Sequence, residues 1–249
     1  MAERFQPIEH SPPEGFWGNL RFQVRLLLDF QVRTVYNHLK EVLPAIKGKV
    51  LDIGCGQSPY KHLLNPTAAE YIGLDTATAS DFGYNEAKII RFDGKHIPFE
   101  DNSIDYIVCT EVLEHVKDPQ PLVDEAFRVL KPGGRGAVTI PWSARVHYLP
   151  HDYHRFTSFA LEDIFRRFIF TITPRGTDIT VIVSKIVIVY LRNFKISVNP
   201  VVSFFRVVFI FVFAPVIILC VLIGHLSLIF RWGSTEDPLG WMIFLEKKA

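Results

Sequence analysis

The fold of this chain is set by the sequence VLDIGCGQSP at residues 50–59, in which an apolar run enters a Gly-x-Gly turn. Glycines let a backbone turn sharply and approach a ligand closely, because no side chain intervenes. A second apolar run ends on Asp75, at the ~20-residue separation typical of nucleoside-binding βαβ units. A carboxylate at the end of that strand can accept hydrogen bonds from ribose hydroxyls. The two runs together predict a nucleoside cofactor.

The residues around the turn distinguish between nucleosides. Dinucleotide folds usually carry G-x-G-x-x-G, whose third glycine opens a helix that receives a pyrophosphate. Here Asp52 stands at the strand end, before Gly54 and Gly56, and Ser58 follows them. A carboxylate at that point would repel a pyrophosphate but suits a cationic amino group.

The turn resembles the first motif of class I S-adenosylmethionine-dependent methyltransferases. Further segments resemble the same family in the same order: 92–94, 104–110, 111–116 and 128–134. The one visible departure is Ser58, which stands where many members have a third glycine. The resemblance implies S-adenosylmethionine as the cofactor, Asp75 on its ribose and Asp93 facing its adenine amino group. It also implies that the methionine end and its surroundings are lined by Asp52, Gly54, Gly56 and Glu111.

Short apolar runs alternate with helical segments from residue 49 onwards, which indicates an α/β fold with a mostly parallel, Rossmann-like sheet. We expect seven strands, the last one antiparallel, and an apolar helical insertion before that last strand. The predicted strands are 49–53, 70–74, 88–92, 105–110, 135–140, 169–175 and 241–247, and the predicted helices are 57–64, 119–130 and 159–168. The predicted domains are an N-terminal arm and helix (1–45), a methyltransferase domain (46–177 with 239–249) and a membrane-associated insertion (178–238).

Composition limits the possible partners and compartment. The net charge of +1 gives no electrostatic footprint for a nucleic acid. The three cysteines, Cys55, Cys109 and Cys220, have neither metal-ligand spacing nor the even count of a disulfide framework, so a reduced, cytosol-facing location is expected. The first residues show no apolar core of a signal peptide.

The N-terminal segment has helical character over 19–43, after a proline-containing arm at 1–17. Apolar residues recur near helical spacing, and Arg21, Arg25 and Arg33 lie between them. Two interpretations remain open. The helix covers the sheet or the cofactor pocket, or it lies as a basic amphipathic helix on an anionic membrane surface.

The loop after the fifth strand, 141–157, is rich in His, Tyr and Arg, which recognise polar groups and move protons near neutral pH. We expect it to border the acceptor pocket, with His151, His154 or Arg155 facing the acceptor. His115 is a second candidate base near the methyl end of the cofactor. The candidate proton-transfer residues are therefore His115, His151 and His154. The structural alternatives are a helix cap at Thr157 and a packing role for His115. The sequence shows no zinc-binding spacing, so no metal site is predicted.

The region before the last strand is unusually apolar, and 207–230 contains no charged residue. At ~1.5 Å per residue, a helix of this length would cross a ~30 Å hydrocarbon core. If 241–247 completes the sheet, both ends of the insertion lie on one side of a bilayer. We expect Pro215 and Gly224 to divide 201–230 into two limbs of a re-entrant or in-plane hairpin. In the competing account, 241–247 is not a strand and the tail crosses once. In the expected hairpin, the basic residues that flank the apolar parts would meet the cytoplasmic headgroups: Arg192, Lys195, Arg206 and Arg231.

These patterns predict a methyltransferase at the cytoplasmic face of a membrane, with a lipid, isoprenoid or lipid-linked glycan as acceptor. Two alternatives remain. The chain is a non-catalytic, cofactor-binding membrane scaffold or subunit, or it methylates a soluble small molecule.

Overall fold

The structure, a computed structural model, describes residues 12–76, 89–192 and 199–249. The expectation for Lys195 and that for most of the N-terminal arm lie outside these residues. The described strands are β1 (Gly48–Ile53), β2 (Ala69–Thr76), β3 (Ile90–Phe92), β4 (Ile104–Thr110), β5 (Leu130–Pro141), β6 (Ile169–Arg175) and β7 (Gly240–Glu246). The α-helices are α1 (Gly15–Leu28), α2 (Phe30–Val42), α3 (Gln120–Val129), α4 (Ser158–Ile164), α5 (Asp178–Arg192) and α6 (Pro200–Phe230).

The seven strands form one sheet in the order β3-β2-β1-β4-β5-β7-β6. The pairs among β1 to β5 are parallel, and β7 lies antiparallel between β5 and β6. The predicted Rossmann-like sheet with its antiparallel last strand is confirmed. The competing account, in which the C-terminal segment leaves the sheet, is wrong because β7 pairs along its whole length on both sides.

The register of β7 fixes which strand ends share an edge. Gly240 pairs with both Pro141 and Arg175, so the carboxyl ends of β5 and β6 lie at the same edge as those of β1 and β4. In open α/β sheets this is the edge that carries the ligand. The motif turn and the start of the apolar insertion therefore lie at one edge of the sheet.

The sheet is covered on both faces, as a parallel sheet requires. On one face Leu51 and Ile107 pack with Leu122 of α3 and Leu161 of α4. On the other face, Leu39 of α2 packs in a buried apolar cluster with Val50 of β1. All of these side chains are at most 3% exposed.

The N-terminal region folds as two helices rather than the single one expected over 19–43. Asp29 has an extended backbone between them, and its side chain accepts a hydrogen bond from the Val32 amide, which caps α2. The first of the two interpretations holds for α2, which covers the sheet, whereas α1 leaves a stripe of apolar side chains exposed. That stripe consists of Phe16, Trp17, Leu20, Val24 and Leu27.

The helix expected at 57–64 is wrong, because only a 3₁₀ turn, Lys61–Leu63, forms there. Ser58 adopts a left-handed backbone with φ of 53°, and Pro59 and Pro66 bracket the segment. The few residues between them are too short a run to nucleate an α-helix.

The insertion forms an antiparallel helical hairpin whose arms are α5 and α6. Thr177 Oγ1 lies 2.7 Å from Ser227 Oγ at its base, and the Tyr190 hydroxyl donates to the Ile210 carbonyl, at 2.9 Å, near its far end. Asp178 and Ser234 exchange hydrogen bonds of 3.0 Å where the chain leaves and rejoins the sheet. The insertion therefore leaves and returns at one place.

The expected break at Pro215 and Gly224 is wrong, because α6 continues unbroken for 31 residues. Pro215 lacks the N–H that would donate to the Phe211 carbonyl, so α6 misses one hydrogen bond there. A contact with α5 near this point, from the Tyr190 hydroxyl to the Ile210 carbonyl, stabilises the helix. Gly224 is a contact point instead: a Cβ there would stand 2.6 Å from the Phe30 ring. The arms of the observed hairpin are therefore α5 and α6, not two limbs within 201–230.

Candidate active site

Asp52 lies near the carboxyl end of β1 and is 5% exposed. The Tyr71 hydroxyl donates a 2.7 Å hydrogen bond to its Oδ2 and lies 2.8 Å from Ser58 Oγ. Its Oδ1 has no hydrogen-bond partner among residues 12–76, 89–192 and 199–249. Burial raises the pKa of Asp52 to about 7, and the Tyr71 hydrogen bond opposes that rise. A buried acceptor without a partner is costly and fits a ligand that brings a cationic donor.

The glycines of the turn are required by its geometry. Gly54 has φ of 67° and Gly56 has φ of 52°, in the left-handed region that favours glycine. A Cβ on Gly54 would stand 2.5 Å from a methyl carbon of Val112, in the segment after β4. The turn thus brings bare backbone close to the segment that follows the fourth strand.

Asp75 lies in β2 and faces the same turn. Its Oδ2 accepts a 2.8 Å hydrogen bond from the Gly56 amide, and its Oδ1 accepts one of 2.7 Å from the Thr76 amide. Each oxygen keeps a second lone pair. Burial raises the pKa of Asp75, and the two amide hydrogen bonds act in the opposite direction.

Asp93 follows β3 at the same edge, where its carboxylate organises a turn. It accepts 2.7 Å hydrogen bonds from the amides of Lys95 and His96 and lies 2.8 Å from the His96 ring. These bonds hold the pKa of Asp93 well below its usual range. Its side chain is half exposed and open to a ligand.

Glu111 follows β4 with a left-handed φ of 54°. Its carboxylate pairs at 2.6 Å with Arg175, whose side chain is fully buried. Arg175 also donates to the Trp241 carbonyl at 3.1 Å. The pair therefore joins the end of β4 to the end of β6, at the base of the hairpin.

Glu114 is completely buried, and neither of its carboxylate oxygens has a hydrogen-bond partner in the part of the chain that the structure describes. Burial, with the Glu111 carboxylate nearby, raises its pKa well above the usual value. Its backbone carbonyl accepts from the amides of Tyr153 and His154, which fastens the 141–157 loop to this segment.

His115 and His147 meet edge to face beside Glu114, with ring centroids 4.8 Å apart. His115 Nδ1 lies 2.6 Å from the His151 carbonyl, and its Nε2 lies 3.5 Å from a Glu114 oxygen. Burial lowers the pKa of His115 to about 4. His115 is therefore a neutral ring at physiological pH.

The other two histidines predicted for proton transfer lie apart from this cluster. His151 is exposed, with its Nδ1 3.0 Å from the Tyr153 hydroxyl. His154 stacks on Phe156 at 4.8 Å, and its Nε2 lies 3.2 Å from the Lys117 carbonyl. His151 reaches solvent at the site, whereas His154 packs against the domain.

Arg155 holds the loop together. It makes a two-pronged contact with Asp152, at 2.6 and 2.9 Å, and also donates to the Ala144 carbonyl. The Asp152 side chain is 2% exposed and accepts from the His147 amide. Thr157 caps α4 through its hydroxyl, as the structural alternative for this loop predicted.

The comparison with known families agrees with this arrangement. Residues 51–138 match the family described as a methyltransferase domain, which spans the motif turn, β2, β4 and the segment after it. The chain contains a class I S-adenosylmethionine-dependent methyltransferase domain. The resemblance predicted from the motif segments is confirmed, and S-adenosylmethionine is the methyl donor of this class.

Relatives and solved structures define how far the likeness extends. A probable S-adenosylmethionine-dependent methyltransferase of Mycolicibacterium smegmatis is 37% identical over 97 residues, which cover 37% of each chain. A ubiquinone biosynthesis O-methyltransferase of Psychrobacter arcticus is 32% identical over 112 residues, 39% of this chain and 43% of that protein. This chain therefore spans less than half the length of these relatives. An S-adenosylmethionine-dependent methyltransferase structure from Thermotoga maritima, 16% identical, has the same fold with a TM-score of 0.54, covering 92% of this chain and 96% of that one.

Sequence reasoning missed several residues of the methyltransferase domain that the fold brings to the site. Tyr71 lies on β2 facing Asp52, Arg175 ends β6 and His147 lies on the loop after β5. None has a local spacing that signals its role, because each acts on a residue from another strand. The one available signal was Glu114, an acid that directly follows the apolar Val112 and Leu113 and precedes His115.

Proposed function

We propose that this chain transfers a methyl group from S-adenosylmethionine to an acceptor held at a membrane surface, with a lipid, isoprenoid or lipid-linked glycan as the acceptor class. The observation that carries the proposal is the shared edge of the sheet. The residues fitted to the cofactor and the base of the exposed apolar hairpin both lie at the carboxyl ends of the strands.

The residues at the turn fit this cofactor. The Oδ1 atom of Asp52 suits the cationic amino group at the methionine end of the cofactor. Gly54 and Gly56 have no side chains, so the turn leaves room for this end of the cofactor. Asp75 keeps lone pairs for the ribose hydroxyls, and Asp93 lies at the adenine end. Glu111 would act through its pair with Arg175. The cofactor supplies a methyl group already activated on a sulfonium, so the protein mainly contributes positioning and, for a hydroxyl acceptor, a base.

His115, His151 and His154 are the proposed proton-transfer residues. His115 presents an unprotonated Nε2, because its Nδ1 hydrogen is directed to the His151 carbonyl. A hydroxyl acceptor placed near this atom would lose its proton to the ring as the new bond to carbon forms. The exposed ring of His151 suits relay of that proton to water.

The hairpin supports the membrane part of the proposal through its exposed surface. The most apolar 18 consecutive residues of α6 have a mean hydropathy of 3.2, and only 11% of them are buried. A core helix of a soluble protein would be mostly covered. Phe211 and Ile218, at 76% and 70% exposed, leave large apolar surfaces that water does not favour.

Charge and length favour a hairpin that lies in the plane of one leaflet. At ~1.5 Å per residue, the 15 residues of α5 reach only about 22 Å, short of a ~30 Å hydrocarbon core. Basic residues stand near both ends of the hairpin, Arg192 and Arg206 at the far end and Arg231 at the base. The stripe on α1 extends the same apolar surface, because His225 of α6 lies 2.9 Å from the Leu27 carbonyl.

Two experiments test the two parts of the proposal separately. Calorimetric titration with S-adenosylmethionine should detect one site per chain. If folded protein does not bind the cofactor at millimolar concentration, the proposal that this chain is a methyltransferase is contradicted for every class of acceptor. Flotation with anionic vesicles should carry the protein upwards with the lipid. Protein that binds the cofactor but stays below the vesicles would leave a methyltransferase of a soluble small molecule. A membrane-bound protein that binds the cofactor but transfers no methyl group to any extract would instead be a scaffold.

A further inference from the structure

We propose that Glu114, His115 and His147 bind one divalent transition-metal ion, best matched by Zn²⁺, at the acceptor end of the site. Each residue offers one donor atom, and the three donors lie within 4.8 Å of one another. Two imidazole nitrogens and one carboxylate oxygen form a donor set that suits such ions and leaves positions open for other ligands.

The hydrogen bonds of the two histidines fix the tautomer that a metal ligand needs. His115 Nδ1 faces the His151 carbonyl, and His147 Nδ1 lies 2.9 Å from the Arg145 carbonyl and 3.3 Å from Asp152. Carbonyl and carboxylate oxygens only accept, so both rings carry their hydrogen on Nδ1. The lone pair of each ring is then on Nε2. Metal-binding histidines usually have this second contact to an oxygen, which fixes the ring and its tautomer.

Glu114 provides the independent observation that a cation belongs here. Its carboxylate is fully buried, and within the described residues neither oxygen has a hydrogen-bond partner, an arrangement that is costly in a protein interior. The atom that faces it, His115 Nε2 at 3.5 Å, is itself an acceptor. Two acceptors directed at each other are satisfied by a cation between them.

The cluster is shaped to close on an ion. Ligand atoms ~2.0–2.2 Å from a zinc ion lie ~3.3 Å apart in a tetrahedron, so the donors must approach slightly. Glu114 and His115 belong to a 3₁₀ turn packed on the sheet, whereas His147 lies on the loop after β5 and can supply the movement. Local spacing did not predict this site because its ligands come from two distant segments.

Three protein ligands leave at least one coordination position of the ion open, and an oxygen atom of the methyl acceptor can fill it. A divalent cation beside the methyl-donor site would hold an acceptor oxygen and favour its deprotonated form, which makes it a better nucleophile. This role rests on the proposed methyl transfer, whereas binding of the ion does not. With the ion bound, His115 Nε2 is a ligand, and the exposed ring of His151, another of the proposed proton-transfer residues, takes up the acceptor proton.

Metal titration of the full chain tests the site. Protein freed of metal by a chelator is titrated with Zn²⁺ by calorimetry, and Co²⁺ absorption reports the geometry. We expect one ion per chain, and a loss of affinity of at least tenfold in both His147→Ala and Glu114→Gln. His38→Ala, on α2 away from the cluster, is the matched control and should bind as the wild type does.

Several results would overturn the site. Equal uptake by the wild type and His147→Ala would mean adventitious binding, and no uptake by folded wild type would mean that Glu114 holds only a proton. Circular dichroism and S-adenosylmethionine affinity establish that each variant is folded. Because cofactor binding is measured without metal, failure of the metal site is distinguishable from failure of the methyltransferase proposal.

Discussion

Asp75 joins β2 to the motif turn, because its carboxylate accepts a hydrogen bond from the Gly56 amide and keeps a second lone pair on each oxygen. We predict that Asp75→Ala weakens binding of S-adenosylmethionine by about 10- to 100-fold, as expected for the loss of hydrogen bonds to a charged acceptor. Calorimetric titration measures the effect. Asp163→Ala, an exposed acid on α4, is the control and should bind normally. Unchanged affinity in Asp75→Ala would remove Asp75 from the site.

Asp52 makes a prediction about pH. Its pKa in the folded chain is about 7, above the ordinary 3.8, so the folded state retains a proton that the unfolded state loses between those values. The stability associated with this group is fully present below pH 3.8 and is lost as pH rises from there to about 7. Asp52→Asn should therefore stabilise the cofactor-free protein less at pH 5 than at pH 8. The stabilisation at pH 8 should exceed that at pH 5 by about 2 kcal/mol, or roughly 4–8 °C.

Thermal unfolding at the two pH values, without cofactor, measures this difference. The same variant should bind S-adenosylmethionine more weakly, because the carboxylate for the cationic amino group is gone. A variant that is equally stabilised at both pH values would show that burial of the charge is not the cause.

At the scale of single residues, the sequence predicted the side chains that act within their own motif. Asp52, Gly54, Gly56 and Asp75 could be identified because a strand, a turn and a following strand place them in a known order. Tyr71, Arg175 and His147 could not, because pairing between distant strands brings them to the site.

At the scale of elements, the hairpin depends on the close approach of α6 to the N-terminal helices at Gly224. In an exposed helix Gly→Ala usually stabilises by about 1 kcal/mol. Here we predict the opposite sign for Gly224→Ala, with a loss of about 1–3 kcal/mol, because the added Cβ meets Phe30 and Val183. Pro215→Ala, on an exposed part of the same helix, is the control and should stabilise. Chemical denaturation in detergent compares them, and a stabilised Gly224→Ala would contradict the packing.

The exposed face of α6 makes a prediction about membranes. The double variant Phe211→Glu with Ile218→Glu should lower vesicle affinity by tenfold or more, since burying one such side chain is worth about 1.5–3 kcal/mol. Ile169→Glu alters an exposed apolar residue on β6, at the opposite edge of the sheet, and should leave flotation unchanged. Retained flotation of the folded double variant would contradict insertion of this face.

Elements differ in how well sequence patterns predict them. Strand β6 and the apolar insertion were predicted because each differs in local pattern from its surroundings. The break within 201–230 was wrong because Pro215 is a local signal, whereas α6 also contacts α5 and Phe30 and continues unbroken. The helix predicted at 57–64 is missing because Pro59 and Pro66 leave too few residues between them to form one. Here the local proline signal outweighs the apolar pattern.

At the scale of the whole molecule, the arrangement combines a cofactor site and an apolar hairpin at one edge of a sheet. The sequence predicted both parts, but their common edge follows only from the register of β7 with β5 and β6. A chain whose hairpin left from the other edge would have similar composition. It would hold its cofactor away from the lipid.

Transfer of labelled methyl groups tests this account most directly. The full chain is incubated with methyl-labelled S-adenosylmethionine and vesicles made from a total lipid extract, with a soluble metabolite extract in the same tube. The account predicts label in the organic phase, lost in Asp75→Ala and reduced in the Phe211→Glu, Ile218→Glu variant. Label that enters only the aqueous phase, or that is unaffected by the hairpin variant, would contradict an acceptor held at the membrane.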